Sequence, residues 1–548
     1  MAGGQADREF GWPAALGLLA LMLVSSFAVY APVLDGEFVS DDVAIIVDNP
    51  YVQELGAENI AVILDPTAPG ILWGMNYAPV HLLVHAVERH VFGLETWGYH
   101  VVNVILHALN GLLVVMLLRS SRLPLVVAGA AGLVFLLHPA HVETVGMVFQ
   151  VKTLLSTALA LASILLLARH PGLACLLFAL ALLTKISAAF VLPVAALLCW
   201  VRQGDEVVEA PRPIWLLAFL AVLVLVGIPE MSAFQRVGSL GISPVEGPAE
   251  QARWMVALAT RYLRMAVSGL GVSAFHQPTP PRSWLDPWWL SGLLLLAVLS
   301  WRWIAVLRRR DEEAVYWLLA VAAYAPVSQV FAFLFPMADR YLYAPLIGLL
   351  GGGLLAAREG WLRFSAWRAS RGARASGDPV WAGALLVAVA LSFGYRAHQR
   401  APVVATNRAL SQESTRNYPK GVPALIDYAK RDARTGNVPA VGRELEALLA
   451  AGFVDYTTLL DDPAIAGLVG YREVQRPLNE MARATLDRLS RAEDPFQIEL
   501  VLMAGAHNAL GNTDEVIELL ERARAKGGPH QAEVEAGLRS RDAAGSSN

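Results

Sequence analysis

Long, uninterrupted apolar stretches are the feature that most constrains how this chain can fold. They recur through the first 396 residues in blocks of about 18 to 22 residues, the length that an α-helix needs to cross a hydrocarbon core of about 30 Å. Backbone that faces lipid can satisfy its hydrogen bonds only in helices or in closed barrels, and a barrel would show short alternating segments. The sequence therefore predicts an all-α, polytopic membrane protein.

Composition agrees with a chain that is only partly in contact with water. Of its 548 residues, 55% are hydrophobic and 16% are charged, whereas soluble domains carry about 25% charged residues. We predict about eleven transmembrane helices. The apolar blocks lie at 12–34, 99–118, 125–138, 146–168, 171–184, 186–201, 213–229, 288–306, 314–335, 341–357 and 380–396.

The distribution of arginine predicts how these helices are oriented. With a cytoplasmic N-terminus, the arginine-rich connections around 119–122, 202–212, 302–310 and 358–374 all fall on the inner side, as short positively charged loops do. Two long outer loops remain, at 35–99 and 230–287. Each contains an amphipathic stretch, at 78–92 and 251–270, which is typical of a helix lying in the membrane interface. We therefore expect binding or chemistry at the outer surface.

The composition changes after Tyr395 to that of a soluble helical domain, which we assign to residues 397–548. Turns at Gly436-Asn437 and Gly511-Asn512 each separate two helical patterns. The second, HNALGNTDEVIELLERARAKG, has the organisation of a tetratricopeptide helix-turn-helix unit. An unrelated helical bundle is the alternative.

Carboxylates and imidazoles near the outer helix ends are candidates for chemistry. Asp41 and Asp42 follow the first helix, and adjacent carboxylates can raise one pKa, as suits a general base. Two solvated loop residues or a helix cap would give the same pattern. His138, His141 and Glu143 could bind a divalent metal or a phosphate, or they could form a hydrogen-bonded structural turn.

Cations near the bilayer form a second group of candidates. Lys152, Lys185 and Arg340 each need an anionic partner or water, because a charge at a helix centre costs about 2.5 to 3.5 kcal/mol on insertion scales. Arg340 and Tyr341 begin a late helix on the outer side, where a guanidinium can bind a phosphate with two hydrogen bonds. Snorkelling to the interface is the alternative interpretation.

Several motifs in the same order resemble the polytopic glycosyltransferases of the GT-C superfamily, most closely the branch with transmembrane helices followed by tetratricopeptide repeats, which is similar to protein O-mannosyltransferases. The resemblance covers nearly the whole membrane region. The matching segments are GEFVSDDVAIIVDNP (36–50), YAPVHLLVHAVERHVFG (77–93), GYHVVNVILHALNGLLV (98–114), FLLHPAHVETVGMV (135–148), LLTKISAAFVLPVAALL (182–198) and ADRYLYAPLIGL (338–349).

The resemblance implies a GT-C-like transferase that moves a sugar, mannose in eukaryotic relatives, from a polyprenyl-phosphate donor to an acceptor hydroxyl on the non-cytoplasmic face. The acidic base of that superfamily maps onto Asp41 or Asp42. The donor phosphate would then contact Arg340, Lys152, Lys185 and Tyr341. His138, His141 and Glu143 would shape the acceptor side or bind an optional divalent ion, and no cofactor is required.

The expected partners are the bilayer, the lipid-linked donor and a protein or peptide acceptor that the C-terminal repeats recruit. Nucleic acid is not expected. The compact loops favour a bacterial inner membrane, with the C-terminal domain in the periplasm. Two positions depart from the family pattern: Ala78 stands where relatives often have arginine, and Ile186 stands where they often have an acid.

Two other functions are compatible with the sequence. A non-catalytic membrane scaffold would use the motifs to stabilise the bundle and the repeats to assemble an envelope complex. A transporter of lipid-linked sugars would need polar residues near the middle of the membrane and two related halves, and neither is clear in the sequence.

Overall fold

The computed structural model describes residues 11–203, 211–237, 245, 247–330, 335–371 and 380–545. Within these residues the regular structure is helical, and β pairing is limited to one isolated bridge between His276 and Met337. The all-α prediction is confirmed. Five predicted segments extend partly outside the described residues: the apolar block at 314–335, the second outer loop, the arginine-rich connections at 202–212 and 358–374, and the C-terminal domain at 397–548.

Seventeen helices precede the predicted C-terminal domain in the described part of the chain. They are α1 Trp12–Tyr30, α2 Pro50–Gln53, α3 Ala57–Leu64, α4 Gly70–Gly74, α5 Pro79–Phe92, α6 Thr96–Ser120, α7 Leu125–Leu136, α8 His141–Gly146, α9 Val151–Leu166, α10 Pro171–Thr184, α11 Val191–Val201, α12 Trp215–Val237, α13 Pro248–Ser268, α14 Pro287–Arg308, α15 Glu313–Tyr324, α16 Tyr343–Ala369 and α17 Val380–Arg400.

Ten of the eleven predicted apolar blocks overlap with a helix or a pair of short helices, and the block at 314–335 contains α15 and the 3-10 turn Ala325–Val327 within its described part. Only six spans in the described ranges are long and apolar enough to cross a membrane alone: Trp12–Val33, Thr96–Ser120, Val148–Leu166, Trp215–Val237, Pro287–Arg308 and Asp339–Ala369. Four shorter apolar helices accompany them. A helix of 14 residues such as α10 rises only about 21 Å. The predicted number of eleven spans is therefore not confirmed.

The core of the membrane region forms around α6. This helix packs against α1, α7 and α9, and its buried side carries small and branched residues that allow close approach. Gly111 of α6 faces Met22 of α1 and Leu136 of α7. The largest fully buried side chains here include Phe135 and Tyr343. This packing brings the outer ends of α6, α7, α9 and α16 together.

The second outer loop begins later than the sequence predicts. Helix α12 continues through Pro229 and Glu230 to Val237. Glu230 is buried, and its carboxylate accepts hydrogen bonds from the Tyr77 backbone N–H at 2.7 Å and from the Asn76 amide at 3.3 Å. These bonds stabilise the acid inside the protein, so the helix need not end where the apolar sequence ends. Glu230 also joins α12 to the first outer loop.

The C-terminal domain contains two helix-turn-helix pairs with the predicted glycine turns. Gly436 (φ 71°) separates α19 (Val422–Arg434) from α20 (Val438–Ala450). Gly511 (φ 81°) separates α24 (Gln497–Leu510) from α25 (Thr513–Lys526). Their tetratricopeptide identity stays a prediction. The helices are α18 Asn407–Asn417, α19 Val422–Arg434, α20 Val438–Ala450, α21 Tyr456–Leu460, α22 Pro463–Ala466, α23 Arg472–Leu489, α24 Gln497–Leu510, α25 Thr513–Lys526 and α26 Gln531–Gly545.

The later part of the C-terminal domain, beyond residue 490, contacts α12 and the first outer loop. The Arg236 guanidinium, near the end of α12, is 3.6 Å from the centroid of the Phe496 ring and forms an ion pair with Glu499 at 3.1 Å. Trp73 of the first outer loop stacks on His530, with ring centroids 6.0 Å apart. The repeats are therefore packed onto the membrane region.

Helices α15 and α16 approach closely at Gly348, Gly351 and Gly352, and at Gly348 an added side chain would meet backbone atoms. A Cβ at Gly348 would lie 2.4 Å from the backbone oxygen of Tyr316, whereas a Cβ at Gly353 of the same helix would meet nothing within 4 Å. We expect Gly348→Ala to destabilise the protein by about 1 to 3 kcal/mol through overpacking. Thermal unfolding in lipid nanodiscs should show a lower Tm for Gly348→Ala and an unchanged Tm for Gly353→Ala. Equal values for the two variants would contradict this packing.

Candidate functional site

The adjacent residues Asp41 and Asp42 have opposite environments. Asp42 is fully buried, and its carboxylate accepts backbone N–H bonds from Phe149 at 2.6 Å, Val39 at 2.9 Å and Val148 at 3.3 Å. Burial raises the pKa of Asp42 to about 7, although the three N–H donors act in the opposite direction. Asp42 therefore joins the first outer loop to the segment before α9. The Asp41 side chain is exposed.

Asp41 lies near two of the predicted cations. Its carboxylate interacts electrostatically with Lys152 and with Arg340, and the Ser40 hydroxyl is 3.4 Å from one of its oxygens. An exposed carboxylate can accept a proton from a bound hydroxyl group, which is the property that a general base requires.

Glu143 and Arg340 form a buried ion pair. The Glu143 carboxylate is fully buried, and it accepts a hydrogen bond from the Arg340 backbone N–H at 2.9 Å in addition to its contact with the Arg340 guanidinium. An unpaired carboxylate at this depth would be strongly destabilising. Glu143, predicted on the acceptor side, therefore contacts a residue predicted on the donor side.

Lys185 and Arg340 line a small polar cavity, and Lys152 is close enough to interact electrostatically with both. The Lys185 ammonium donates to the Thr153 hydroxyl at 2.8 Å. Lys152 Nζ is 5.2 Å and Arg340 Cζ is 6.0 Å from the centroid of the Phe149 ring. The cavity measures about 40 Å³ and is lined by Thr153, Ser156, Thr157, Lys185, Ser187, Phe190, Ala323, Val327, Arg340, Tyr341, Ala344 and Pro345.

Lys152 differs from the other two cations because the described residues include no acid in ion-pair contact with it. Arg340 has Glu143, and Lys185 has the Thr153 hydroxyl. Lys185 lies at the break between α10 and the next helical turn, where its backbone is extended (φ −160°), so the interruption of the apolar sequence directs it toward the cavity. Lys152 is therefore the cation of this group that is best placed to bind an anion.

An apolar cavity lies beside the polar one. It measures about 420 Å³, and the two cavities share Pro345 in their linings. It is formed by α13, α14, α15 and α16, so it lies among helices that include two candidate membrane spans. A hydrocarbon chain could occupy it. The lining residues are Ala259, Tyr262, Leu263, Leu296, Leu299, Ser300, Trp303, Trp317, Leu318, Ala320, Val321, Tyr324, Leu342, Pro345 and Leu349.

His138 and His141 are both buried, with ring centroids 5.6 Å apart, and each ring has further contacts of its own. His138 Nε2 is 3.1 Å from the Ala266 carbonyl oxygen, and its Nδ1 accepts the Ala140 N–H at 3.2 Å. The His141 ring packs against Phe135 and Tyr343, with centroids 4.6 and 4.5 Å apart, and burial lowers its pKa far below the usual value. Among the described residues, no group of three or more His, Cys, Asp or Glu side chains is placed to hold a metal ion.

Sequence reasoning missed a charge network next to Arg340. Asp339 is buried and forms ion pairs with His276 and Arg400, both at 2.7 Å. Arg400 also contacts Glu413 of α18 at 3.2 Å. His276 Nδ1 lies 2.8 Å from the hydroxyl of Tyr418, the residue that directly follows α18. Only the presence of an arginine at the end of the last apolar block signalled this network.

Comparison with known proteins gives partial matches. No protein-family model matches the chain. The chain is 28% identical over 210 residues to Protein O-mannosyl-transferase F38B6.6 of Caenorhabditis elegans, which covers 35% of this chain and 29% of that protein. Human Protein O-mannosyl-transferase TMTC1 is 29% identical over 190 residues, covering 31% of this chain and 18% of that protein. The chain thus spans less than a third of the length of these relatives.

Two solved structures of the oligosaccharyltransferase of Archaeoglobus fulgidus are also similar. One, with a tethered acceptor peptide, has 14% identity and a TM-score of 0.39, and the match covers 72% of this chain and 55% of that one. The other, with an inhibitory peptide and a dolichol-phosphate, has 13% identity and a TM-score of 0.38. These likenesses are too distant to transfer residues or substrates. The sequence relatives, however, bear the name that the motifs suggest, and the resemblance of this chain to membrane protein O-mannosyl-transferases is confirmed over about a third of its length.

Proposed function

We propose that this chain is a membrane glycosyltransferase that moves a sugar from a polyprenyl-phosphate donor to a hydroxyl group of a protein acceptor, at the non-cytoplasmic face. The observation that carries the proposal is the exposed Asp41 carboxylate beside Lys152 and Arg340. These charges match a reaction in which a hydroxyl loses a proton and a phosphate leaves as an anion. The names of the relatives suggest mannose as the sugar.

The two adjoining cavities fit the two parts of such a donor. Lys185, Arg340 and Tyr341 would contact its phosphate because they line the polar cavity, and Lys152 would contact it because it lies near Lys185 and Arg340. The polyprenyl tail would occupy the apolar cavity of about 420 Å³. Burying a hydrocarbon chain there would supply binding energy remote from the reacting atoms, which can serve to position the sugar.

The proposed reaction is a single displacement. The Asp41 carboxylate accepts the acceptor hydroxyl proton while that oxygen forms a bond to the anomeric carbon of the sugar. The bond from the anomeric carbon to the phosphate oxygen breaks, so the configuration inverts and polyprenyl phosphate leaves with the bonding electrons. Lys152 and Arg340 stabilise the negative charge that develops on this phosphate. Asp42 has no direct part because its oxygens are occupied by backbone N–H groups.

The C-terminal domain would recruit the protein acceptor. Stacked helix pairs form extended surfaces that bind peptides and proteins, and here they are packed onto the outer loops near the site. With a cytoplasmic N-terminus, the C-terminal domain lies on the periplasmic side of a bacterial inner membrane. His138, His141 and Glu143 would act by holding α8 and the Arg340 turn in place rather than by contacting the acceptor.

The two adjacent aspartates provide a test with its own control. Asp41→Asn should lower kcat by about 10² to 10⁴, the usual contribution of a general base, and should leave Tm unchanged because the side chain is exposed. Asp42→Asn should lower Tm, because one of its three backbone N–H partners would then face an amide N–H₂ group.

The measurement is sugar transfer from radiolabelled polyprenyl-phosphate mannose to a peptide library, by purified protein in lipid, with Tm measured on the same samples. Full activity of Asp41→Asn would exclude this residue as the base. Wild-type protein that transfers nothing from any common polyprenyl-phosphate sugar would instead support the non-catalytic scaffold.

Substitutions of Lys152 and Arg340 should have different effects, because Lys152 would act mainly in donor binding and Arg340 also stabilises the fold. Lys152→Gln should raise the donor KM about tenfold, the effect of losing about 1.4 kcal/mol of phosphate binding, without lowering Tm. Lys152→Arg should retain most of the affinity because it retains the charge. Arg340→Gln should lower Tm sharply, since it leaves the buried Glu143 carboxylate unpaired at a cost of about 3 to 5 kcal/mol. An unchanged donor KM in Lys152→Gln would remove Lys152 from the phosphate site.

A further inference from the structure

We propose that Asn407, the first residue of α18, is a positioning residue that holds the turn bearing Asp41 and so couples the C-terminal domain to the site. The inference rests on the proposed function of Asp41. Asn407 follows the last apolar helix by seven residues and lies 366 positions after Asp41 in the sequence, yet its side chain and backbone bind the turn directly before that residue.

Asn407 makes three hydrogen bonds to residues 37–40. Its side-chain Oδ1 accepts the Ser40 backbone N–H at 2.9 Å, and its Nδ2 donates to the Phe38 carbonyl oxygen at 3.2 Å. Its own backbone N–H donates to Glu37 Oε1 at 2.6 Å. A primary amide is suited to this role because it presents a donor and an acceptor side by side. The side-chain amide therefore forms the same kind of donor and acceptor pair with Phe38 and Ser40 that the backbone of a neighbouring β-strand would form.

The turn needs such support because of the conformation of Ser40. Its φ is +54°, in the left-handed region, which serine adopts only at an energetic cost of about 1 to 2 kcal/mol. Asn407 binds the N–H of this same residue. Loss of that bond would allow Ser40 to relax, and the next residue in the chain, Asp41, would change direction.

The turn is held on its other side by Asp42. The Asp42 carboxylate binds the N–H groups of Val148 and Phe149, directly before Lys152. Asp41 therefore lies between two anchors, one in the membrane region and one at the start of the C-terminal domain. Asp42 sets the distance from the turn to the cations, and Asn407 sets the backbone conformation immediately before Asp41.

Asn407 is itself held by the charge network at the other side of the site. Seven residues earlier, Arg400 pairs with Asp339, the neighbour of Arg340, and with Glu413 of α18. The Ala405 carbonyl oxygen accepts the Glu37 N–H at 2.9 Å. The segment from Arg400 to Glu413 thus contacts the turn of the proposed base and the turn of the proposed phosphate-binding arginine.

The test is Asn407→Ala in the full-length protein in nanodiscs, with Asn512→Ala as the matched control. Asn512 is also an asparagine of the C-terminal domain, but its side chain contacts only His507 within a repeat turn. Three quantities are measured on each variant: hydrogen exchange of the backbone amides at 37–42, Tm, and the steady-state kcat and donor KM for sugar transfer.

We expect Asn407→Ala to accelerate exchange at 37–42 and to lower kcat about tenfold or more, because misplacing a catalytic group by about 1 Å is costly. The donor KM should stay within about twofold, since the cations that bind phosphate are untouched. Tm should change little, because Asn407 is exposed and surface substitutions usually change stability by about 0.5 kcal/mol or less. Asn512→Ala should match wild type in all three.

Unchanged exchange at 37–42, or an unchanged kcat despite faster exchange, would overturn the inference. A parallel loss of kcat and donor affinity with a large drop in Tm would also overturn it, because that pattern indicates general unfolding. Failure of the proposed function looks different: wild type would transfer no sugar, while exchange at 37–42 would still report whether Asn407 holds the turn.

Discussion

The Asp42 carboxylate organises the outer face of this protein. It binds N–H groups of Val148 and Phe149, which lie more than 100 residues from it in the sequence. A buried carboxylate is stable only when such donors surround it, and here they come from its own turn and from the segment that begins α9. The bonds place the exposed Asp41 close to Lys152, so a residue with no proposed chemical role determines the geometry of the groups for which we propose one.

A second constraint is that the buried charges near the bilayer are paired across elements. Glu143 of α8 pairs with Arg340, and Asp339 pairs with Arg400 at the end of α17. Each pair joins segments that are far apart in the sequence. A buried charge needs such a partner, because leaving it unpaired would destabilise the protein. Lys152 departs from this pattern, since it contacts a ring face and no acid among the described residues. An anionic ligand would complete its environment.

Sequence reasoning predicted the types of residue at the site better than their partners. Apolar periodicity identified the helical membrane region, because the bilayer imposes length and composition on each span. The cost of intramembrane charge directed attention to Lys152, Lys185 and Arg340. The same reasoning could not choose between Asp41 and Asp42, because the choice depends on N–H donors 106 and 107 positions away. His138 and His141 have metal-ligand spacing, but tertiary packing gives their rings other neighbours.

The number of spans could not be predicted for a related reason. Helix α10 ends at Lys185, where an extended residue and a 3-10 turn precede α11, so two apolar blocks that look like separate spans form a broken element. The break exists because Lys185 reaches Thr153 and the polar cavity. The sequence shows the interruption at Lys185, but a local count of apolar residues cannot decide whether the two blocks cross the membrane separately, because the contact that accompanies the break lies in another helix.

The position of the C-terminal domain follows from the same long-range bonds. Asn407 and Arg400 attach its beginning to the turns of Asp41 and Arg340, and Phe496 and Glu499 attach a later part to Arg236 at the end of α12. Relative motion of domains is the usual expectation unless the interface between them is large and hydrophobic, and here the attachment depends on polar contacts in which Asp339 and Arg400 are buried. The C-terminal domain is thus attached at two places, and an acceptor that binds to it would act on the turns that carry the proposed base and the proposed phosphate-binding arginine.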